Sequence, residues 1–223
     1  ATAIDKKSSY TGGHCERVPE IAMLLADAVE QTTEGRYKDF SMSEDERYEL
    51  YIAAWLHDCG KVATPPHIVD KATKLETITD RIQTVDTRFE VKKRDIEISM
   101  LKKQIQLMKN GSADDAMDKI KLEYEKVLDQ LNDDRYFLHK TNLGGEFMAE
   151  DEKKRVAEIG NYKWVSDGNE IPFLNEEEVR NLQIPKGTLL PEEREIINDH
   201  IVITIEMLEK LPYPKKLKNV PEF

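Results

Sequence analysis

The amino-acid sequence predicts an all-α fold, a helical bundle interrupted by a long antiparallel helical hairpin. Three observations lead there. Charged residues make up 35% of the chain, against an average of about 25%, an excess that fits long solvated helices better than a compact β protein. Apolar residues recur at helical spacing on both sides of a charge-rich middle. That middle, residues 76–135, has Gly111 as its only glycine. The 223 residues suffice for one good core with an appendage.

The elements follow in order. In "HCERVPEIAMLLADAVEQ" (14–31), Val18, Ile21, Leu24, Leu25 and Val29 recur at helical spacing. Pro19 suits the first turn, and "GGH" is a flexible entry that brings His14 to the helix start. Ser43 reads as the cap of a second helix with acids in its first turn. Leu50, Ala53, Ala54 and Leu56 bury one side of it, and Gly60 ends or bends it. "ATPPHIVDKATKL" reads as a Pro-containing loop. Ile82, Val85, Phe89, Ile96 and Ile105 mark one side of a first long helix, and "NGSADD" (110–115) is a turn with a helix start. Met117, Ile120, Tyr124, Val127 and Leu131 then step 3, 4, 3, 4, a narrow heptad seam. Residues 136–185 are mixed, with a small β-hairpin turning at Asp167-Gly168. Pro191, Glu192 and Glu193 open a further helix that runs through "LEKL" with His200 on its core side, and "PYPKKLKNVPEF" is a loop that leads into another helix. The bundle is thus expected from 1–75 and 186–223, the hairpin from 76–135.

Net charge is −11, so no broad basic face for duplex nucleic acid is expected, while a local basic pocket for one phosphate stays open. No apolar run reaches the length of a membrane span. Two scattered cysteines, Cys15 and Cys59, read as packing thiols in a reducing, cytoplasmic compartment. Both ends read as cut from something longer. The hairpin's seam is expected to meet a second copy, an upstream sensor domain, or its own domain.

The chemistry lies in "WLHDCGKV" (55–62). An imidazole and a carboxylate at the end of an apolar helix are costly unless paired, and a hydrogen-bonded core or a metal would each satisfy them. Of five histidines, His14, His57 and His200 share a context: a helix start or core face among apolar residues. His67, after two prolines, reads as a loop residue and His139 as structural. A two-metal hydrolase needs imidazoles for each ion and a carboxylate to bridge them. Asp58 adjoins His57, and Lys61, three residues on, shares a side with Asp58 and offers a point charge for a phosphate oxygen. Gly60 permits close approach of backbone or ligand. Arg17 is a candidate to pair with an acid or a ligand phosphate.

"HDCGK", behind an apolar helix and an upstream "HCERV", resembles the HD superfamily of metal-dependent phosphohydrolases. "HDCGKVATPPHIVDKATKL" and "LLPEEREIINDHIVITIEMLEKLPYPKKL" resemble its HD-GYP subgroup, over about residues 10–75 and 186–223. The resemblance implies an all-helical HD domain in which His14, His57, Asp58 and His200 bind metal, Asp58 bridging two ions, iron or manganese. It implies Asp58 and Lys61 as catalytic groups, with Lys61 on the substrate, to which Arg17 is added as a candidate substrate-binding residue. It further implies hydrolysis of cyclic di-GMP to pGpG or GMP, as the output domain of a bacterial signalling protein. The alternatives are an HD phosphohydrolase of another nucleotide or phosphoester, or a degenerate module that binds without catalysis. The subgroup's His-His-Glu and Gly-Tyr-Pro motifs are absent and would fall beyond Phe223. Tyr10 stands where members often carry a glutamate, which implies two metals rather than three.

Overall fold

The computed structural model describes residues 13–110, 114–145 and 147–222; Tyr10 and most of the hairpin turn lie outside them. The fold is all-α, with one two-stranded sheet among the described residues. It divides into two compact units. One holds the residues up to Asp70 and from Pro191 onward, the other Lys71–Leu190.

The first unit begins with α1 (His14–Glu30), entered through Gly13, whose φ of 74° places it in the left-handed region that glycine reaches freely. Helix α2 (Glu44–Leu56) starts at a complete capping box, in which the Ser43 hydroxyl accepts from the Glu46 amide and the Glu46 carboxylate accepts from the Ser43 amide. Arg47, in the first turn of α2, pairs with Asp27 and Glu30 at the end of α1. This locks the two helices antiparallel and brings the start of α1 beside the end of α2. Contact between them uses small residues; Cys15, Pro19 and Ala26 of α1 are buried. The apolar side expected from Ile21, Leu24 and Leu25 faces outward instead. Spacing defines a face, but only small side chains let two helix axes come this close, and that decided which face turned in.

A 3-10 turn (Cys59–Ala63) follows α2, and the expected Pro-rich loop contains a one-turn helix, α3 (Pro66–Val69). The unit resumes with α8 (Pro191–Asn198) and α9 (His200–Glu209). The single helix expected here is interrupted at Asp199, which leaves His200 as the first residue of α9. After α9 come two 3-10 turns, Lys215–Leu217 and Val220–Glu222, in place of the expected helix. They are held to α2 by Glu49, whose buried carboxylate accepts from the Asn219 amide at 2.6 Å and the Asn219 side chain at 3.0 Å.

The second unit is built on α4 (Ile82–Lys109) and α5 (Asp114–Asn142). They run antiparallel, with Arg135 reaching Asp86 and Glu90, and Ile96 and Met100 lining a small cavity together with Ile120 and Tyr124. Helix α5 extends to Asn142, past the expected limit of 135, because Leu131, Phe137 and Leu138 continue its buried seam. Ile105, expected on the inner side of α4, is exposed. Helices α6 (Glu150–Gly160) and α7 (Glu176–Leu182) close over Phe89, Leu138, Val156 and Phe173. Strands β1 (Lys163–Ser166) and β2 (Asn169–Pro172) form the expected hairpin, with Asp167 and Gly168 both at positive φ, as a type I′ turn requires.

Candidate metal centre

The residues singled out by sequence, apart from Arg17, converge in the first unit on Asp58, which is 5% exposed. Its Oδ2 lies 3.5 Å from His14 Nε2, 3.1 Å from His57 Nε2 and 2.6 Å from Lys61 Nζ. Its Oδ1 lies 3.2 Å from His200 Nε2. Three helices and a turn supply these groups. His14 is the first residue of α1, His57 caps the end of α2, Lys61 sits in the following 3-10 turn, and His200 opens α9.

Two of the imidazoles are oriented by the same device. His57 Nδ1 lies 2.8 Å from the Ala54 carbonyl, and His200 Nδ1 meets the Ile197 carbonyl, each three residues back. A carbonyl can only accept, so Nδ1 carries the proton and donates, and Nε2 is left with its lone pair directed at Asp58. Lone pair facing carboxylate is stable only with a proton or a cation between them. Accordingly, the hydrogen bond to Asp58 raises the pKa of His57 against the opposing effect of burial. Burial also opposes the ionised form of Asp58, yet hydrogen bonds from His57 and Lys61 outweigh it and hold the carboxyl well below the usual carboxylate range.

The donor set fits a divalent transition metal. Imidazole nitrogens and a carboxylate suit iron, manganese or zinc, and the outer partners of His57 and His200 are already in place. Ligand atoms of His14, His57 and Asp58 all lie within 4.8 Å of one another.

Gly60 positions this centre. A Cβ there would stand 2.6 Å from Thr204 N and 2.7 Å from Thr204 Oγ1, and closer still to the His200 carbonyl oxygen. Only glycine lets the turn approach α9 so closely, and the Gly60 amide donates to Thr204 Oγ1 at 2.9 Å. The role expected for Gly60 as a helix terminator falls elsewhere, since α2 ends at Leu56. Thr204 shares the face of His200 in the sequence, one turn after it, but its role as acceptor for Gly60 carried no signal there. Arg17 is exposed in the first turn of α1, with its guanidinium beside Gly13. His67 is exposed, and His139 pairs with Asp86 at 2.8 Å in the second unit. A cavity of about 980 Å³ in the second unit is larger than the one of about 500 Å³ beside His57. The larger one holds no ligand cluster of this kind among the described residues.

Comparison with known proteins gives the family. The family profile of the HD domain matches residues 11–135, more than half of the chain. The chain belongs to the HD domain family. A second HD domain profile matches residues 176–223 of this HD protein. Among curated proteins it is similar to 3'3'-cGAMP-specific phosphodiesterase 3 of Vibrio cholerae serotype O1, with 37% identity over 73 residues, 33% of the chain and 14% of that relative. It is also similar to 3'3'-cGAMP-specific phosphodiesterase 1 of the same organism, with 28% identity over 92 residues, 40% of the chain and 19% of that relative. The chain thus spans less than a fifth of the length of either. No solved structure matches it. Among the described residues no helix is long and apolar enough to cross a membrane.

Proposed function

We propose that the centre around Asp58 hydrolyses a phosphodiester bond of a cyclic dinucleotide, and that the protein is of the HD-GYP type within the HD family. One observation carries this reading. The two oxygens of Asp58 face different imidazoles, Oδ2 towards His14 and His57 and Oδ1 towards His200. A carboxylate so divided suits the bridge between two ions. His14 and His57 would hold one ion and His200 the other. Bound there, two divalent ions, iron or manganese, supply Lewis acidity to a phosphoryl oxygen and lower the pKa of water.

The chain's own groups do the rest. The carbonyls of Ala54 and Ile197 keep the imidazoles in the ligating tautomer. Lys61 keeps its ammonium at the rim of the carboxylate, where it steadies negative charge on phosphate oxygens. Arg17, exposed three residues after His14, would be the group that takes a second phosphate. Residues 76–185 are an insertion in the domain formed by 1–75 and 186–223.

Cyclic di-GMP is the substrate this reading favours, cut to pGpG and then GMP in a cytoplasmic signalling protein. The names of both Vibrio relatives favour 3'3'-cGAMP as a second reading. The test is elemental analysis of the full-length protein, handled anaerobically, together with chromatography of its products from each dinucleotide. About two ions per chain, lost with activity in Asp58→Ala, are expected. Metal without hydrolysis of either dinucleotide would shift the substrate to another phosphoester. Absence of metal would leave a non-catalytic module and overturn the proposal.

A further inference from the structure

The second unit carries an apolar row that its own fold does not use. On α4, Ile98, Leu101, Ile105 and Met108 step 3, 4, 3, and they are 49%, 45%, 51% and 66% exposed. At about 100° per residue they centre on the side of α4 opposite Ile96, Met100 and Lys103, which face α5. No described residue covers the row. Four large apolar side chains in line on a charged helix form a contiguous patch, which is unlike scattered surface leucines.

The residue types specify what fits there. With Ile98 and Ile105 at heptad position a, Leu101 and Met108 fall at d. β-Branched residues at a with leucine at d favour a parallel two-stranded pairing. Glu97 then falls at g and Lys102 at e, both exposed. In a parallel pair, g meets the e position five residues on in the other helix, so Glu97 meets Lys102 of the second copy, twice by two-fold symmetry. An antiparallel pair with Ile98 opposite Met108 would bring Lys102 close to its own counterpart. The row ends at Arg94, which confines the contact to the distal half of α4. Two heptads are short for an isolated coiled coil, but α4 is already folded against α5, so helix nucleation is not charged to the association.

We infer that α4 is a dimerisation helix, pairing in parallel through Ile98, Leu101, Ile105 and Met108 with α4 of a second copy of this chain. The test is sedimentation velocity of the full chain across a concentration series. A concentration-dependent dimer is expected. Ile105→Lys should weaken it by at least about tenfold, since it puts a charge in place of a buried apolar side chain. Circular dichroism checks that this exposed site leaves the helices intact; should it not, Ile98→Lys and Met108→Lys carry the same test. Glu97→Lys and Lys102→Glu should each weaken the dimer and together restore it. Leu101→Cys should cross-link on oxidation, with the oxidised wild type as control, because d positions adjoin only in the parallel register. A monomer at every concentration would overturn the inference and leave the row to a different partner. A dimer insensitive to the lysine variants would overturn it too, and so would one that lacks both the charge rescue and the cross-link.

Discussion

Replacing Gly60 by alanine tests whether the metal centre depends on the contact between the 59–63 turn and α9. The added Cβ would lie 2.6 Å from Thr204 N, about 0.8 Å inside the 3.4 Å at which ordinary contact begins. The nearest atoms include backbone of α9, so the helix rather than a side chain must yield. Overpacking of this kind costs about 1–3 kcal/mol. Loss of the Gly60 amide bond to Thr204 adds about 1 kcal/mol. For a chain of this size the total lowers Tm by roughly 5–15 °C. The same displacement widens the 3.2 Å separation of His200 Nε2 from Asp58 Oδ1. Disturbing the support of a metal ligand typically costs about 10–100-fold in affinity. Equilibrium dialysis against manganese should show that loss at a temperature where the G60A protein is folded. Gly35→Ala is the control: its φ of 76° strains an added side chain, but nothing lies within 4 Å of the new Cβ. It should lose stability without losing metal. Wild-type metal binding in G60A would refute the claim that close approach of turn and helix holds the centre together.

Thr204→Val should cost about 1–3 kcal/mol in chemical denaturation, because it leaves the buried Gly60 amide without an acceptor. Ser43→Ala should cost about 1 kcal/mol by the same assay, through loss of one side of the capping box. Glu49→Ala removes the acceptor for both donors of Asn219 and should cost about 1–3 kcal/mol, with earlier proteolysis after α9. Acid sensitivity should depend in part on Asp86. Burial opposes its charge, but hydrogen bonds from Arg135 and His139 prevail and hold its carboxyl below the ordinary value of 3.8. The folded pKa is depressed, so this stabilisation is present above that value and is lost as pH falls through the folded one. Asp86→Asn should therefore flatten the loss of stability below about pH 4 in thermal melts.

Much of the fold was legible because local chemistry and tertiary structure agree. Ser43 and Glu46 announce α2, and Asp167-Gly168 announces the hairpin, through conformations that few other residues adopt as readily. Where reading failed, the deciding quantity was not local. Ile21, Leu24 and Leu25 mark an apolar face of α1, but periodicity says nothing of which face meets a neighbour. The small side chains of Cys15 and Ala26 allowed the closer packing. Ile105 belongs to an apolar row on α4, yet that row and the inner seam overlap in sequence and separate only on the helix surface. The break at Asp199 falls in the polar stretch Asn198-Asp199-His200, which the helical spacing of Ile196, Ile197 and Ile203 steps across. Its visible correlate is the imidazole of His200 turning back to the Ile197 carbonyl.

The centre divides along the same line. His14, His57, Asp58 and His200 could be named as candidates because a metal site would select side-chain types, and side-chain types are what a sequence records. Their orientation rests on the carbonyls of Ala54 and Ile197, atoms that every residue carries and no sequence marks. Helix geometry supplies the missing step. A histidine at a helix end can turn its Nδ1 onto the carbonyl three residues before it, which leaves Nε2 as the ligating atom. His57 and His200 do this in two different settings, one closing α2 and one opening α9. Position at a helix boundary therefore carries information about tautomer, and hence about ligating competence, before any metal is considered.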